Sequence, residues 1–392
     1  MNRRLRVAAV ATLAAFVALD VAVHLFVVRG HWRPVPPFGA LTNEAQLDWL
    51  SAKLEPDAGE RGIGRFDPVL GWSLRPNAST PDGRTTTNSR GWRGSREYAD
   101  EAPAGTLRIV CIGDSFTFCE EVADDGAWPA LLERRLEGKA EVVNLGVGGY
   151  GTDQAFMRLG REYPRTAVDV VFIGLLLENI GRNVNRYRPR WYPRAESAVA
   201  KPRFIEGPET LETVFLPYER ELDLLRAIHD ESVLDDLAEH EYWLDDHVPG
   251  PLALSGLWRM VAGQAFYRDR ELPRLWAATD DEPFRVTTRI LAAAHSFARA
   301  PEGNAAKLAT VVVFPTKDDL AQFRATGERY WQPLLDWLAA RAIPFVDLSD
   351  ALARAEEERS PDAPPLWAFS HLSSTGNAVV ARVLHEFLDR EL

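Results

Sequence analysis

Disulfide chemistry is nearly absent from this chain. Cys111 and Cys119 are the two cysteines among 392 residues, too few for a scaffold held by bridges. They flank Ser115, and both read as small buried apolar residues rather than as a bridge or a reactive thiol. Basic excess is absent too. The formal net charge is −12, which excludes nucleic acid as the main partner, since phosphate binding needs a basic face. There is no internal repeat. No group of His, Cys, Asp or Glu has a metal-ligand spacing: His229, His240 and His247 sit among acids and read as a solvated face. No metal and no organic cofactor is implied. The G-x-S-x-G elbow motif is missing, because Thr117 stands where its second glycine belongs. Past the first thirty or so residues, no apolar run reaches the ~20 residues that cross a bilayer.

What is present begins with that first run. Val7 to Val28 is almost wholly apolar and long enough to span. Arg3, Arg4 and Arg6 precede it and favour a cytoplasmic amino end; Arg29 and Arg33 beyond it weaken this asymmetry without reversing it. No small-x-small cleavage site follows, so residues 1–29 are expected to be an uncleaved anchor. Asp20 and His24 lie inside the span, four apart on one helix face. They are expected either to pair with each other or to face a second envelope protein. The rest is expected to be a soluble body on the outer face of a bacterial-type membrane. The hydrophobic fraction of 46% allows it a substantial core.

Residues 30–105 are rich in Pro, Gly, Arg and Trp and read as a lead-in with short extended pieces around Asp67 to Trp72 and Thr85 to Trp92. From residue 106 an α/β alternation begins. Five strands are expected, at 107–112, 141–145, 169–177, 308–314 and 343–348. Helices are expected around 128–137 and 154–161, around Leu334 to Leu338, and at 376–388. The stretch 187–300 interrupts the rhythm and reads as a helical insertion, with helical pieces at 219–246, 254–261 and 284–298.

Three expected strand ends carry chemistry. The first closes on Gly113-Asp114-Ser115, where a serine is a candidate nucleophile at the carboxyl edge of a parallel sheet. The second ends in Gly146-Val147-Gly148-Gly149, whose backbone N–H groups can approach a substrate because no side chain intervenes. The third ends in Glu178-Asn179. His371 lies just before the last helix. Acyl transfer needs a nucleophile, a base and oxyanion donors. Ser115, His371, the Gly149 N–H and the Asn179 amide supply these roles, while Asp114 reads as a structural hydrogen-bonding residue.

This order of blocks resembles the SGNH, or GDSL-type, hydrolase family. The matching residues are Gly113-Asp114-Ser115, Asn144-Leu145-Gly146-Val147-Gly148-Gly149, Glu178-Asn179, and His371 with Gly376, spread over residues 107–390. The resemblance implies an α/β fold: a three-layer α/β/α sandwich on a mainly parallel five-stranded sheet of flavodoxin-like kind. It implies Ser115 as nucleophile, the Ser115 and Gly149 N–H groups and Asn179 as oxyanion hole, and His371 as base. Two departures stand out. The family's third block reads Gly-x-Asn-Asp, against Leu177-Glu178-Asn179-Ile180 here. The family also places an Asp three residues before the His, where this chain has Ala368. In the serine-protease case, loss of that group's charge lowers turnover about 10⁴-fold. Either a Ser–His dyad suffices, or Asp347, Asp350 or Asp362, or a backbone carbonyl, orients His371.

The cluster Arg186-Tyr187-Arg188-Pro189-Arg190-Trp191-Tyr192-Pro193-Arg194 is dense in cations and rings within an acidic protein. Arg186, Arg188, Arg190 and Trp191 are expected either to bind an anionic or glycan substrate or to pin a loop onto the acidic insertion. The expected function is that of a membrane-anchored extracytoplasmic serine esterase or O-acyltransferase. Its expected substrate is an acylated cell-surface glycan or, failing that, a lipid ester. The competing expectation, resting on Ala368, is a degenerate domain that binds a glycan or a partner without catalysis.

Overall fold

The computed structural model describes residues 3–28, 44–53, 62–162, 168–193, 195, 197–226, 233–244, 255–300 and 305–392. The chain divides into two compact units. One comprises Met1–Gly59, Asn185–Lys201 and Phe215–Arg274; the other comprises Glu60–Val184, Pro202–Val214 and Leu275–Leu392.

The second unit is built on five parallel strands: β1 (Leu107–Ile112), β2 (Ala140–Asn144), β3 (Val170–Leu176), β4 (Leu308–Phe314) and β5 (Phe345–Asp347). Their order is β2-β1-β3-β4-β5, and every neighbouring pair is parallel. β3 and β4 are buried along their whole length, as is β1 beyond Leu107. That is why, Arg108 and Thr310 apart, they read as apolar runs rather than alternating ones. Their side chains still divide by parity. Ile109, Cys111, Val170, Phe172, Val312 and Phe314 join one core with Trp128, Leu132, Leu320, Leu352, Val380 and Leu384. These last six belong to the helices Trp128–Arg135, Lys317–Thr326, Ser349–Glu358 and Ser374–Glu391. The opposite face carries the helices Thr152–Glu162 and Glu282–Ala298. The expected three-layer α/β/α architecture on a parallel five-stranded sheet is therefore present.

The order 2-1-3-4-5 reverses direction between β1 and β3. Ligands of open α/β sheets bind outside the carboxyl ends of the strands at such a switch point. Ser115 follows β1 and Asn179 follows β3, so both stand at this crevice.

Part of the lead-in belongs to the same unit. Gly64–Asp67 pairs antiparallel with Gly71–Leu74. Asp67 makes the turn, its Oδ1 accepting from the N–H groups of Val69 and Leu70 at 3.0 Å each. The stretch 187–300, expected as one insertion, is divided. The hairpin Arg203–Glu206 with Leu211–Val214 and the helix Glu282–Ala298 lie with the sheet, while 185–201 and 215–274 lie with the N-terminal residues.

In that first unit, the helix Arg3–Val28 contains a 23-residue stretch, Arg3–Leu25, of mean hydropathy 2.0. It is long and apolar enough to cross a bilayer. Asp20 does not depend on His24 for its hydrogen bonds. Its Oδ1 accepts from Ser255 Oγ at 2.7 Å and from the Leu257 N–H at 2.9 Å, at the start of the helix Gly256–Arg268. Arg29, Arg33, His229 and His247 lie outside the described residues. His240 stands 3.6 Å from Glu239.

Candidate active site

Ser115 opens a one-turn helix, Ser115–Phe118, directly beyond β1. Asp114 caps it: Oδ1 accepts from the Phe116 N–H at 2.8 Å. Thr117, which takes the place of a glycine in the elbow motif, has a packing reason to be there. Its hydroxyl sits where a Cβ on either Gly113 or Gly174 would come within 2.2 Å. One threonine thus wedges between two strand-end glycines and fixes the serine turn against β3.

His371 comes from a tight turn. Trp367 and Leu372 form an antiparallel bridge, and the Ala368 N–H donates to the His371 carbonyl at 2.9 Å. The helix Ser374–Glu391 starts just beyond, capped by Ser373. The imidazole tilts over the Phe116 ring, centroids 5.0 Å apart. Its Nε2 lies 2.8 Å from Ser115 Oγ.

The acid is Glu121. His371 Nδ1 is 2.9 Å from Glu121 Oε1, whereas Asp347 accepts from Arg329, Trp331 and Ser349, and Asp350 pairs with Arg329. Asp362 is not among the hydrogen-bond partners of the ring either. The carboxylate of Glu121 holds the whole turn. It also accepts from the Phe369 N–H at 2.6 Å, the Ser370 N–H at 3.0 Å and Ser370 Oγ at 2.7 Å. Because a carboxylate accepts, Nδ1 carries the ring proton and Nε2 is left to accept from Ser115. Partial burial opposes ionisation of Glu121. The bonds from His371, Ser370 and the Phe369 backbone outweigh it and hold the carboxyl down to about 2.

The sign of that shift yields a prediction. A carboxyl held low in the native state adds stability above its ordinary value near 4.5, and loses it as pH falls toward about 2. The melting temperatures of wild type and Glu121→Gln should therefore converge across that window, as scanning calorimetry would show; a gap that stays constant would contradict the bonding described.

Glu121 reaches the ring because the chain reverses at Cys119, a non-glycine residue at φ 63° whose N–H returns to the Ser115 carbonyl at 2.7 Å. Arg93 braces the reversal. Its buried guanidinium donates to the carbonyls of Phe118, Cys119 and Val122, and pairs with Asp124 at 3.1 Å. Burial pushes the Cys119 thiol up to about 12 and the Cys111 thiol well above its usual range, so neither is a thiolate nucleophile. Glu120 stands at the mouth, its carboxylate 3.9 Å from His371 Nε2.

The candidate oxyanion donors follow the carboxyl ends of β1, β2 and β3. Among the described residues, neither the Ser115 nor the Gly149 backbone N–H has a hydrogen-bond partner. Gly149 is at φ 78°, which an L side chain rarely adopts. Asn179 is fully buried; its Nδ2 donates to Asp114 Oδ2 at 2.8 Å and lies 3.5 Å from Thr152 Oγ1. One amide hydrogen of Asn179 is thus committed to Asp114, and the amide's other contact is the long one to Thr152. Burial raises the Asp114 carboxyl, opposed by the Arg182 charge and by the bonds from Phe116 and Asn179. Asp114 serves as a structural link between the ends of β1 and β3.

Of the two expectations for the basic cluster, the contacts described match the loop held onto the segment 215–241. Arg186 and Arg190 are buried. Arg186 donates to the carbonyls of Asp236, Glu239 and Phe215, and Arg190 to that of Leu234. Glu241 accepts from the backbone N–H groups of Arg186 and Tyr187 at 2.8 and 3.1 Å. Trp191 packs against Trp243, ring centroids 6.3 Å apart, and Arg188 is half-buried. These guanidinium groups satisfy carbonyls within their own unit. Arg194 lies outside the described residues. Among the described residues, no group of three or more His, Cys, Asp or Glu is placed to hold a metal ion.

Comparison with known proteins finds no matching family model and no matching curated protein. Solved structures do resemble the chain. A putative lipolytic protein of the G-D-S-L family from Desulfitobacterium hafniense is 13% identical, with 73% of this chain and 100% of that one covered and a TM-score of 0.32. The native aryl esterase of M. smegmatis is 15% identical, with 73% and 100% covered and a TM-score of 0.34. An alpha/beta hydrolase enzyme from the metagenome of Lake Arreo is 15% identical, with 74% and 96% covered and a TM-score of 0.39.

Proposed function

We propose that this chain is a serine-dependent ester-cleaving enzyme whose acid–base pair is His371 and Glu121. One observation carries the reading: Ser115 Oγ, the imidazole and the Glu121 carboxylate form a continuous chain of contacts at 2.8 and 2.9 Å. That is the spatial arrangement of a hydrolase triad, which is recognised by geometry rather than by sequence position. It also supplies the orienting carboxylate whose absence at Ala368 favoured a non-catalytic binding domain.

The chemistry follows from these positions. Ser115 Oγ attacks the ester carbonyl carbon while its proton passes to His371 Nε2. The carbonyl oxygen becomes an oxyanion facing the N–H groups of Ser115 and Gly149 and the remaining amide hydrogen of Asn179. Glu121 stabilises the imidazolium through Nδ1. Collapse breaks the bond to the leaving oxygen, which takes the Nε2 proton. Water, deprotonated by the same nitrogen, then attacks the acyl-serine, and the acid departs as Ser115 recovers its proton. A sugar hydroxyl in place of water would make the same site an O-acyltransferase.

Arg3, Arg4 and Arg6 at the start of the apolar N-terminal helix support a single-pass anchor with the sheet unit outside the cytoplasm. An acylated envelope glycan suits that location, with a lipid ester as the other substrate class to assay. The test uses the full chain in detergent, offered a neutral aryl acetate and an O-acetylated polysaccharide. Acetate release from both is expected. Polysaccharide binding without release of acid from either would replace the enzyme with a binding module.

A further inference from the structure

The hairpin of the lead-in meets the oxyanion loop at one peptide group. The half-buried Trp72 donates its indole Nε1–H to the Gly148 carbonyl at 3.0 Å. That carbonyl and the Gly149 N–H belong to the same planar peptide, so whatever fixes one fixes the other. The contact is reciprocal. Tyr150 Oη donates to the Trp72 carbonyl at 2.6 Å, and the two rings meet edge-on with centroids 5.6 Å apart. Gln154 Nε2 donates to the Leu70 carbonyl at 2.6 Å, and its Oε1 accepts from the Gly151 N–H at 3.1 Å. Both sides of residues 148–151 are thereby tied to the hairpin.

This peptide needs such a tie. It joins two glycines, and neither has a Cβ to oppose rotation of the plane between them. A flip would turn the Gly148 carbonyl, an acceptor, toward the place where negative charge develops. We infer that Trp72 is a positioning residue for the oxyanion hole: its indole N–H holds the Gly148–Gly149 peptide with the N–H facing the reacting carbonyl. The inference rests on the serine-esterase reading and extends the machinery to a segment 43 residues before Ser115, Trp72 being far outside every block of the family resemblance. The bond to the carbonyl also polarises the N–H, strengthening it as a donor.

Removing a whole oxyanion donor lowers kcat about 10²–10³-fold. Trp72→Phe keeps the ring and loses the indole N–H, leaving the peptide to flip. It should lower kcat by about 10- to 100-fold with KM nearly unchanged. The discriminating readout is an aryl boronic acid, which forms a tetrahedral adduct on the serine. Its inhibition constant should weaken in Trp72→Phe by the same factor as kcat/KM falls, which a smaller folded fraction alone would not produce. Tyr150→Phe, which loosens the seat of the indole while keeping both rings, should show the same parallel loss at smaller size. It serves if Trp72→Phe does not fold.

Wild-type kcat in Trp72→Phe, or a fall in kcat with unchanged boronate affinity, overturns the inference and leaves the esterase reading intact. The same full-length series includes Ser115→Ala. Activity equal to wild type in that variant overturns the esterase reading and this inference together.

Discussion

Ser115→Ala is expected to lower kcat for ester hydrolysis by about 10⁶-fold if the site behaves as other serine triads do. The size follows from the dependence of every step on one atom. Ser115 Oγ is the oxygen 2.8 Å from the base. The two nearby sulfurs cannot replace it, because Cys111 and Cys119 are buried with their thiol pKa values raised. His371→Ala should cost nearly as much, and the double variant should be little worse than either single one, since nucleophile and base act as a unit. Initial rates on a neutral aryl acetate, with thermal unfolding to confirm that each variant folds, give the comparison. Additive losses would mean that the two residues do not share a step.

Glu121→Gln is expected to lower kcat by about 10³–10⁴-fold while the turn that carries His371 stays folded. The physical reason is tautomeric. The carboxylate accepts the Nδ1 proton and so leaves Nε2 as acceptor. A glutamine amide can donate to Nδ1 instead, which moves the ring proton to Nε2 and blocks transfer from Ser115. The expected loss extends below the 10⁴ of a fully buried acid because the Glu121 side chain is 21% exposed and water can stand in for it. With the amide nitrogen turned to the ring, the remaining oxygen still accepts from the Phe369 and Ser370 N–H groups, so the turn stays folded even though the melting temperature near neutral pH falls.

The sheet could be read from the residues because a strand buried on both faces is mostly apolar. Such a strand ends where a glycine or polar residue reaches the carboxyl edge. Leu107–Ile112 ends before Gly113 as that rule gives, and Leu308–Phe314 ends before Pro315, which has no N–H for the ladder. Ser115 and His371, which lie 2.8 Å apart, stood out for a related reason: one follows a strand and the other precedes the last helix. Glu121 was not. Its partner lies 250 residues away, and the reversal that aims it passes through Cys119 at φ 63°, where no glycine marks the bend. The sole hint is an acidic pair, Glu120-Glu121, shortly after the serine in a chain that lacks the usual acid at Ala368.

Arg93 and Trp72 were hidden for a related reason. Each acts on backbone carbonyls, and a sequence does not show where carbonyls point. The same blindness left two readings of Arg186 and Arg190 open. Their charge suggested a surface for ligands, but short irregular segments leave carbonyls unpaired inside the unit, and these guanidinium groups satisfy them. The two-unit division was equally out of reach, since each unit is assembled from pieces that are distant along the chain.

The central claim is that Glu121 and His371 together activate Ser115. It is tested most directly by the rate at which a fluorophosphonate labels the full-length protein in detergent, with the modified peptide identified by mass spectrometry. A single adduct on Ser115 is predicted in wild type, formed at least about 10²-fold more slowly in Glu121→Gln and absent in Ser115→Ala. An adduct on another residue, or equal labelling rates in wild type and Glu121→Gln, would contradict it.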